Sequence, residues 1–87
     1  DQIADTDEFM VEFNTMAATG EPFFVIFSGA FDENGESWCI HTNQARPYIE
    51  KFLYKIDGKY QTVEASVTRG EWKGNSDHPY RQAPFQV

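Results

Sequence analysis

Five consecutive apolar residues, Phe23-Phe24-Val25-Ile26-Phe27, lie between Pro22 and Ser28, and no other stretch limits the possible folds as much. The run is too short for a typical helix and is rich in aromatic and β-branched side chains. It therefore predicts a strand buried on both faces, as in the middle of a parallel sheet. The next elements of the chain suit that environment. From Cys39 to Ile56 the pattern is that of a long helix, with Ala45, Tyr48, Ile49, Phe52, Leu53 and Ile56 forming an inward stripe and Asp57-Gly58 ending it. Pro47 lies within this helix and should kink it, because the ring removes one backbone donor and crowds the preceding turn. Tyr60 to Val67 then alternates in part. Val63, Ala65 and Val67 fall on one side and Thr62, Glu64 and Ser66 on the other, which predicts a second strand of edge or half-buried type. Strand, kinked helix, strand is a βαβ crossover, so the two strands should be parallel and the connection right-handed.

The flanking segments are consistent with a small α/β domain. Asp5-Thr6-Asp7-Glu8 supplies caps and negative charge ahead of Phe9, Met10, Phe13, Met16 and Ala17, predicting an amphipathic helix over about 7–18 that Gly20 ends. Residues 28–38 read as loop, with a turn at Asp32-Glu33-Asn34-Gly35. Residues 69–76 read as a polar loop anchored by Trp72, and Asp77 is placed to cap a short helical turn through Arg81. With 87 residues there is room for one domain, spanning 1–87, and a chain of this size buries only about 60–65% of its unfolded surface. A formal net charge of −7 argues against sequence-independent binding to nucleic acid or to an anionic membrane surface, which need Lys/Arg clusters. No apolar run approaches the roughly 20 residues of a membrane span.

The only cysteine, Cys39, stands after Trp38 where loop gives way to helix. A thiol in that position meets unpaired backbone N–H groups and the positive end of the helix dipole, both of which favour thiolate. Cys39 is therefore a candidate nucleophile. A single cysteine excludes an internal disulfide and fits a reducing, cytoplasmic setting. Trp38 reads either as a flat contact surface beside the sulfur or as simple packing, and His41 as an exposed neighbour of the site. The acidic residues Asp32, Glu33 and Glu36 lack the spacing of a calcium loop, but would disfavour the thiolate if they lay near it. Cys39, His41 and His78 are suitable metal ligands without a fourth at a persuasive spacing, so neither metal nor cofactor is expected.

Several features in order carry a family resemblance: Phe23-Phe24-Val25-Ile26-Phe27-Ser28-Gly29, the inserted 32–36 loop, Ser37-Trp38-Cys39, Gln44-Ala45-Arg46-Pro47, and Trp72-Lys73 ahead of Tyr80-Arg81. With these the chain resembles the thioredoxin superfamily, most closely its small cytosolic branch with a Ser-Trp-Cys-x-x-Cys motif. The resemblance implies a thioredoxin-like fold and a thiol-disulfide oxidoreductase whose nucleophile is Cys39, with Trp38 and Thr42 completing the catalytic set. Trp38, Ile40 and His41 would contact a protein disulfide or a glutathione mixed disulfide. This chain departs from the pattern at Thr42, which stands where the family carries its resolving cysteine, so the chemistry expected is monothiol. An adjacent thiol acts at an effective concentration of about 10⁵ M or more, far above any thiol in solution, and its loss should slow turnover. Ile40 and His41 replace a Pro-Asp pair, and Ile26 stands where the superfamily places an acid or a tyrosine. The resemblance also implies that the cis-proline loop, two further strands and a last helix would come after Val87. That would leave the sheet edge beside the Tyr60–Val67 strand open unless an oligomer or a partner chain covers it. The alternative is a redox-inactive thioredoxin-fold module that binds a partner, or a subunit of a larger assembly.

Overall fold

The computed structural model describes residues 1–87. Three strands, β1 (Gln2–Ile3), β2 (Phe23–Gly29) and β3 (Gln61–Val67), form one parallel sheet in the order β1-β3-β2. Helix α1 (Thr6–Ala18) connects β1 to β2, and α2 (Ile40–Ile56) connects β2 to β3. A four-residue helix α3 (Arg69–Trp72) and a 3-10 turn at Pro79–Arg81 complete the chain order.

The local causes are legible in each element. Asp5 caps α1 by accepting a hydrogen bond from the Asp7 N–H at 2.9 Å, and Gly20, at φ 73°, takes the left-handed turn after its end. Helix α2 continues through Pro47, which withholds one intrahelical hydrogen bond, and Gly58 at φ 78° comes just after its end. The register of β2 on β3 runs from Phe23 opposite Gln61 to Gly29 opposite Val67, so Val25 and Phe27 share a face with Val63 and Ala65.

That face carries the core. Phe9, Val63, Ala65, Val67 and Tyr80 are buried, with Phe13, Phe27, Trp38 and Phe85 packed around them. Phe9 lies at the centre of an aromatic cluster, its ring 5.1 Å from Tyr80, 5.6 Å from Phe85 and 5.7 Å from Phe27.

Four expectations are corrected. Strand β3 is central, not an edge: the two-residue β1 pairs with it at Gln2–Glu64 and Ile3–Ala65, too short a strand to leave a periodic signal. The open edge expected beside 60–67 is therefore covered. Strand β2 is neither in the middle of the sheet nor buried on both faces: it is an edge, paired with β3 alone, and only Gly29 of it is buried. Phe24 is 37% exposed on the side of α2, a helix with no buried residue and with Tyr48 of its stripe 76% exposed. The 69–76 segment is not all loop, since Thr68 and Glu71 form a capping box that starts α3. The cap of the last turn is His78, not Asp77: its Nδ1 accepts the Tyr80 N–H at 3.1 Å. No helix is long and apolar enough to cross a membrane.

Candidate thiol site at the start of helix α2

The C-terminal ends of β2 and β3 and the first turn of α2 meet at Cys39. Cys39 is the N-cap residue of α2, with extended backbone and no side-chain capping hydrogen bond. The preceding turn is fixed by side chains. Ser37 Oγ accepts the Cys39 N–H at 3.1 Å, while the Asn43 carboxamide grips the Ser37 backbone in both directions, at 2.8 Å each. Sequence reasoning misses Asn43, although an Asn four residues beyond a helix cap is the kind of residue that ties a first turn to the loop before it.

Gly29 faces this turn across a gap with no space for a side chain. A Cβ there would lie 2.5 Å from Ser37 Oγ and 2.8 Å from the Cys39 Cβ. The Gly29 N–H donates to Thr42 Oγ1 at 2.9 Å, so the Thr42 hydroxyl serves as an acceptor toward the sheet and retains its proton for another partner. The Cys39 thiol is held below its ordinary range. The Thr42 backbone N–H is the largest cause; the Thr42 hydroxyl, the His41 N–H and the charge of Lys73 act in the same direction, and partial burial opposes them. The acidic loop is not among these influences. Asp32 Oδ1 is occupied by the N–H groups of Asn34 and Glu36, at 2.8 and 3.0 Å, and the loop closes on itself. Arg46 of α2 clasps it, bonding the Gly35 carbonyl, covering the Phe31 ring at 4.9 Å and pairing with Glu50 at 2.9 Å.

Trp38 is half-buried against the core, and its indole N–H donates to the Val67 carbonyl at 2.8 Å. Its ring is thus pinned beside Cys39. Ile40 is 64% exposed and His41 is exposed, both on the first turn of α2. Cys39, Trp38, His41 and Thr42 share an open cleft of about 330 Å³ with Val67 and Trp72. His78 is not part of a ligand set with Cys39. It is 4% exposed, its ring lies 5.3 Å from Trp72 and 4.8 Å from Tyr80, and no three His, Cys, Asp or Glu side chains are placed to hold a metal ion. Trp72 is stacked under the Arg81 guanidinium at 3.7 Å, so it packs the segment after β3.

A small parallel sheet, a long helix with proline inside it and a cysteine at that helix's first turn form a specific combination. No curated protein and no solved structure matched the chain. The model of the family described as thioredoxin domain-containing protein 17-like, thioredoxin domain, matches residues 2–87, and the chain belongs to that thioredoxin-superfamily family.

Proposed function

We propose that this protein performs thiol-disulfide exchange through a single thiol, Cys39. One observation carries the reading: the sulfur sits at the N-cap of a 17-residue helix with its pKa lowered chiefly by the Thr42 backbone N–H. The attacking species is the thiolate. Cys39 Sγ forms a bond to one sulfur of glutathione disulfide or of a protein disulfide; the old S–S bond breaks, and the other sulfur leaves as a thiolate that takes a proton from water. An external thiol, as its thiolate, then attacks the partner's sulfur in the mixed disulfide and releases Cys39 as thiolate. This second step is external because Thr42 has no sulfur to perform it. The catalytic set is Cys39, Thr42 and Trp38. Trp38, Ile40 and His41 supply the rim that meets the substrate. A reducing compartment such as the cytoplasm would keep Cys39 free.

The test pairs two measurements on the purified chain. Incubation with glutathione disulfide should give a single glutathione adduct on Cys39 by intact mass, reversed by added thiol. The pH profile of iodoacetamide labelling should have its midpoint below the ordinary thiol value of about 8.5. No adduct, together with a midpoint at or above that value, would refute the exchange reading. The second reading, a redox-inactive binding module or assembly subunit, would then stand. It is favoured by the aromatic group Phe24, Phe52 and Tyr60, exposed by 37%, 37% and 47% at the other end of β2 from Cys39.

A further inference from the structure

We propose that Gln2 is a positioning residue for Cys39, acting on it through Gly29 and the Thr42 hydroxyl. The inference rests on the reading of Cys39 as the reactive thiol, but it concerns a residue two strands away from it in the sheet.

Gln2 lies on β1, paired with Glu64 of β3, and its side chain reaches past β3 to the end of β2. Its Nε2 donates to Ser28 Oγ at 2.9 Å and to the Gly29 carbonyl at 3.0 Å, and its Oε1 accepts the Phe31 N–H at 3.0 Å. Ser28 Oγ in turn donates to Glu64 Oε2 at 2.6 Å. One carboxamide therefore holds the backbone at two points, the Gly29 carbonyl and the Phe31 N–H, and also the Ser28 hydroxyl, which Glu64 holds from its other side. All of these bonds are partly buried, where the loss of one leaves a polar group short of a partner.

The stretch so fixed touches Cys39. Gly29 has no side chain because the Cys39 Cβ and Ser37 Oγ occupy the space, and its N–H is the donor that orients Thr42 Oγ1. With its lone pair engaged there, the Thr42 hydroxyl has its proton free for the sulfur. Without the Gln2 bonds, residues 29–31 keep their tie to β3 through the Ala30 N–H and the Val67 carbonyl but lose their hold on the β1 side, so the Gly29 N–H shifts and with it the direction of the Thr42 hydroxyl. The other groups that act at the sulfur are the charge of Lys73, beyond α3, and the backbone N–H of His41, on α2. Neither touches Gln2, so the Gln2 effect is separable from theirs.

The experiment uses the full chain with Gln2→Met, which keeps length and removes the amide, and with Gln2→Glu, which keeps the acceptor for Phe31 and removes both donors. Each is made alone and combined with Thr42→Val. Iodoacetamide labelling of Cys39 is followed at neutral pH and across a pH profile, with near-UV circular dichroism as the check on folding. Gln2→Met should slow neutral labelling about three- to tenfold and move the midpoint upward, a tenfold change corresponding to about one pKa unit. In the Thr42→Val background the same substitution should change labelling less than about twofold, because its route to the sulfur is gone. Unchanged labelling in a folded Gln2 variant, or equal slowing with and without the Thr42 hydroxyl, would overturn the proposal. Gln2→Glu decides if the methionine variant does not fold. Absence of a glutathione adduct on the wild-type protein counts against the exchange function alone, while the labelling coupling still decides the role of Gln2.

Discussion

Gly29→Ala tests how tightly the end of β2 is closed against the start of α2. The added methyl would lie 2.5 Å from Ser37 Oγ, 2.8 Å from Cys39 Cβ and 3.2 Å from Trp38 Cε2. The Ser37 hydroxyl could rotate away only by giving up the Cys39 N–H. The Cys39 Cβ is attached to the backbone and cannot move without moving the N-cap of α2. Overpacking of this kind costs about 1–3 kcal/mol, and losing the Ser37 hydrogen bond adds about 1 kcal/mol, so a loss of about 2–4 kcal/mol is expected. In a domain of this size, even about 2 kcal/mol corresponds to a fall in Tm of roughly 8–16 °C. Urea denaturation of the wild type, Gly29→Ala and Gly70→Ala would measure it. Gly70 lies in α3 with nothing within 4 Å of a built Cβ and an unexceptional φ, so alanine there should be neutral or stabilise by up to about 1 kcal/mol. A Gly29→Ala protein within about 0.5 kcal/mol of wild type would refute the close approach and the site geometry built on it.

Three further outcomes are expected from the same contacts. Tyr80 is buried, its hydroxyl has no bonded partner, and burial raises its pKa, with Thr6 close enough to oppose the rise but not in bonding geometry. The folded state then holds a proton that the unfolded chain releases above its pKa of about 10, so stability should fall as pH rises beyond that point, and Tyr80→Phe should flatten this fall in pH-dependent urea titrations. Cys39 has the opposite sign. Its depressed folded pKa contributes stability that is fully present above the unfolded thiol value and is lost as pH falls through the folded one, and Cys39→Ala should remove that slope from the same titrations. Trp38→Phe gives up the indole hydrogen bond, but the Val67 carbonyl keeps the Ala30 N–H at 2.9 Å, so the loss of stability should be about 1 kcal/mol; a loss above 3 kcal/mol would show that the indole does more than donate to Val67.

The elements legible in the chain are those whose signals are local. The apolar run at 23–27, the alternation at 60–67 and the caps around α1 each specify an element without reference to the rest of the fold. Cys39 at the first turn of α2 is legible in the same way, from a polar loop giving way to helical periodicity. The Thr68-x-x-Glu71 capping box is equally local and would have revealed α3. The stripe on α2 misleads for a physical reason. Periodicity says which residues share a face, but whether that face is covered depends on what packs against it, and Ile49 and Leu53 are only half-buried while Tyr48 is in solvent.

Taken alone, the order of residues determined a parallel α/β unit and put one cysteine where a helix begins, since hydrophobic period and capping act over a few neighbouring positions. Only the tertiary structure decided that β3 is central and that Gly29 has no room for a side chain. It also decided that Gln2 and Thr42 meet on either side of that glycine. These depend on residues 8 to 62 positions apart, and such contacts arise from strand register and packing, which no local pattern encodes.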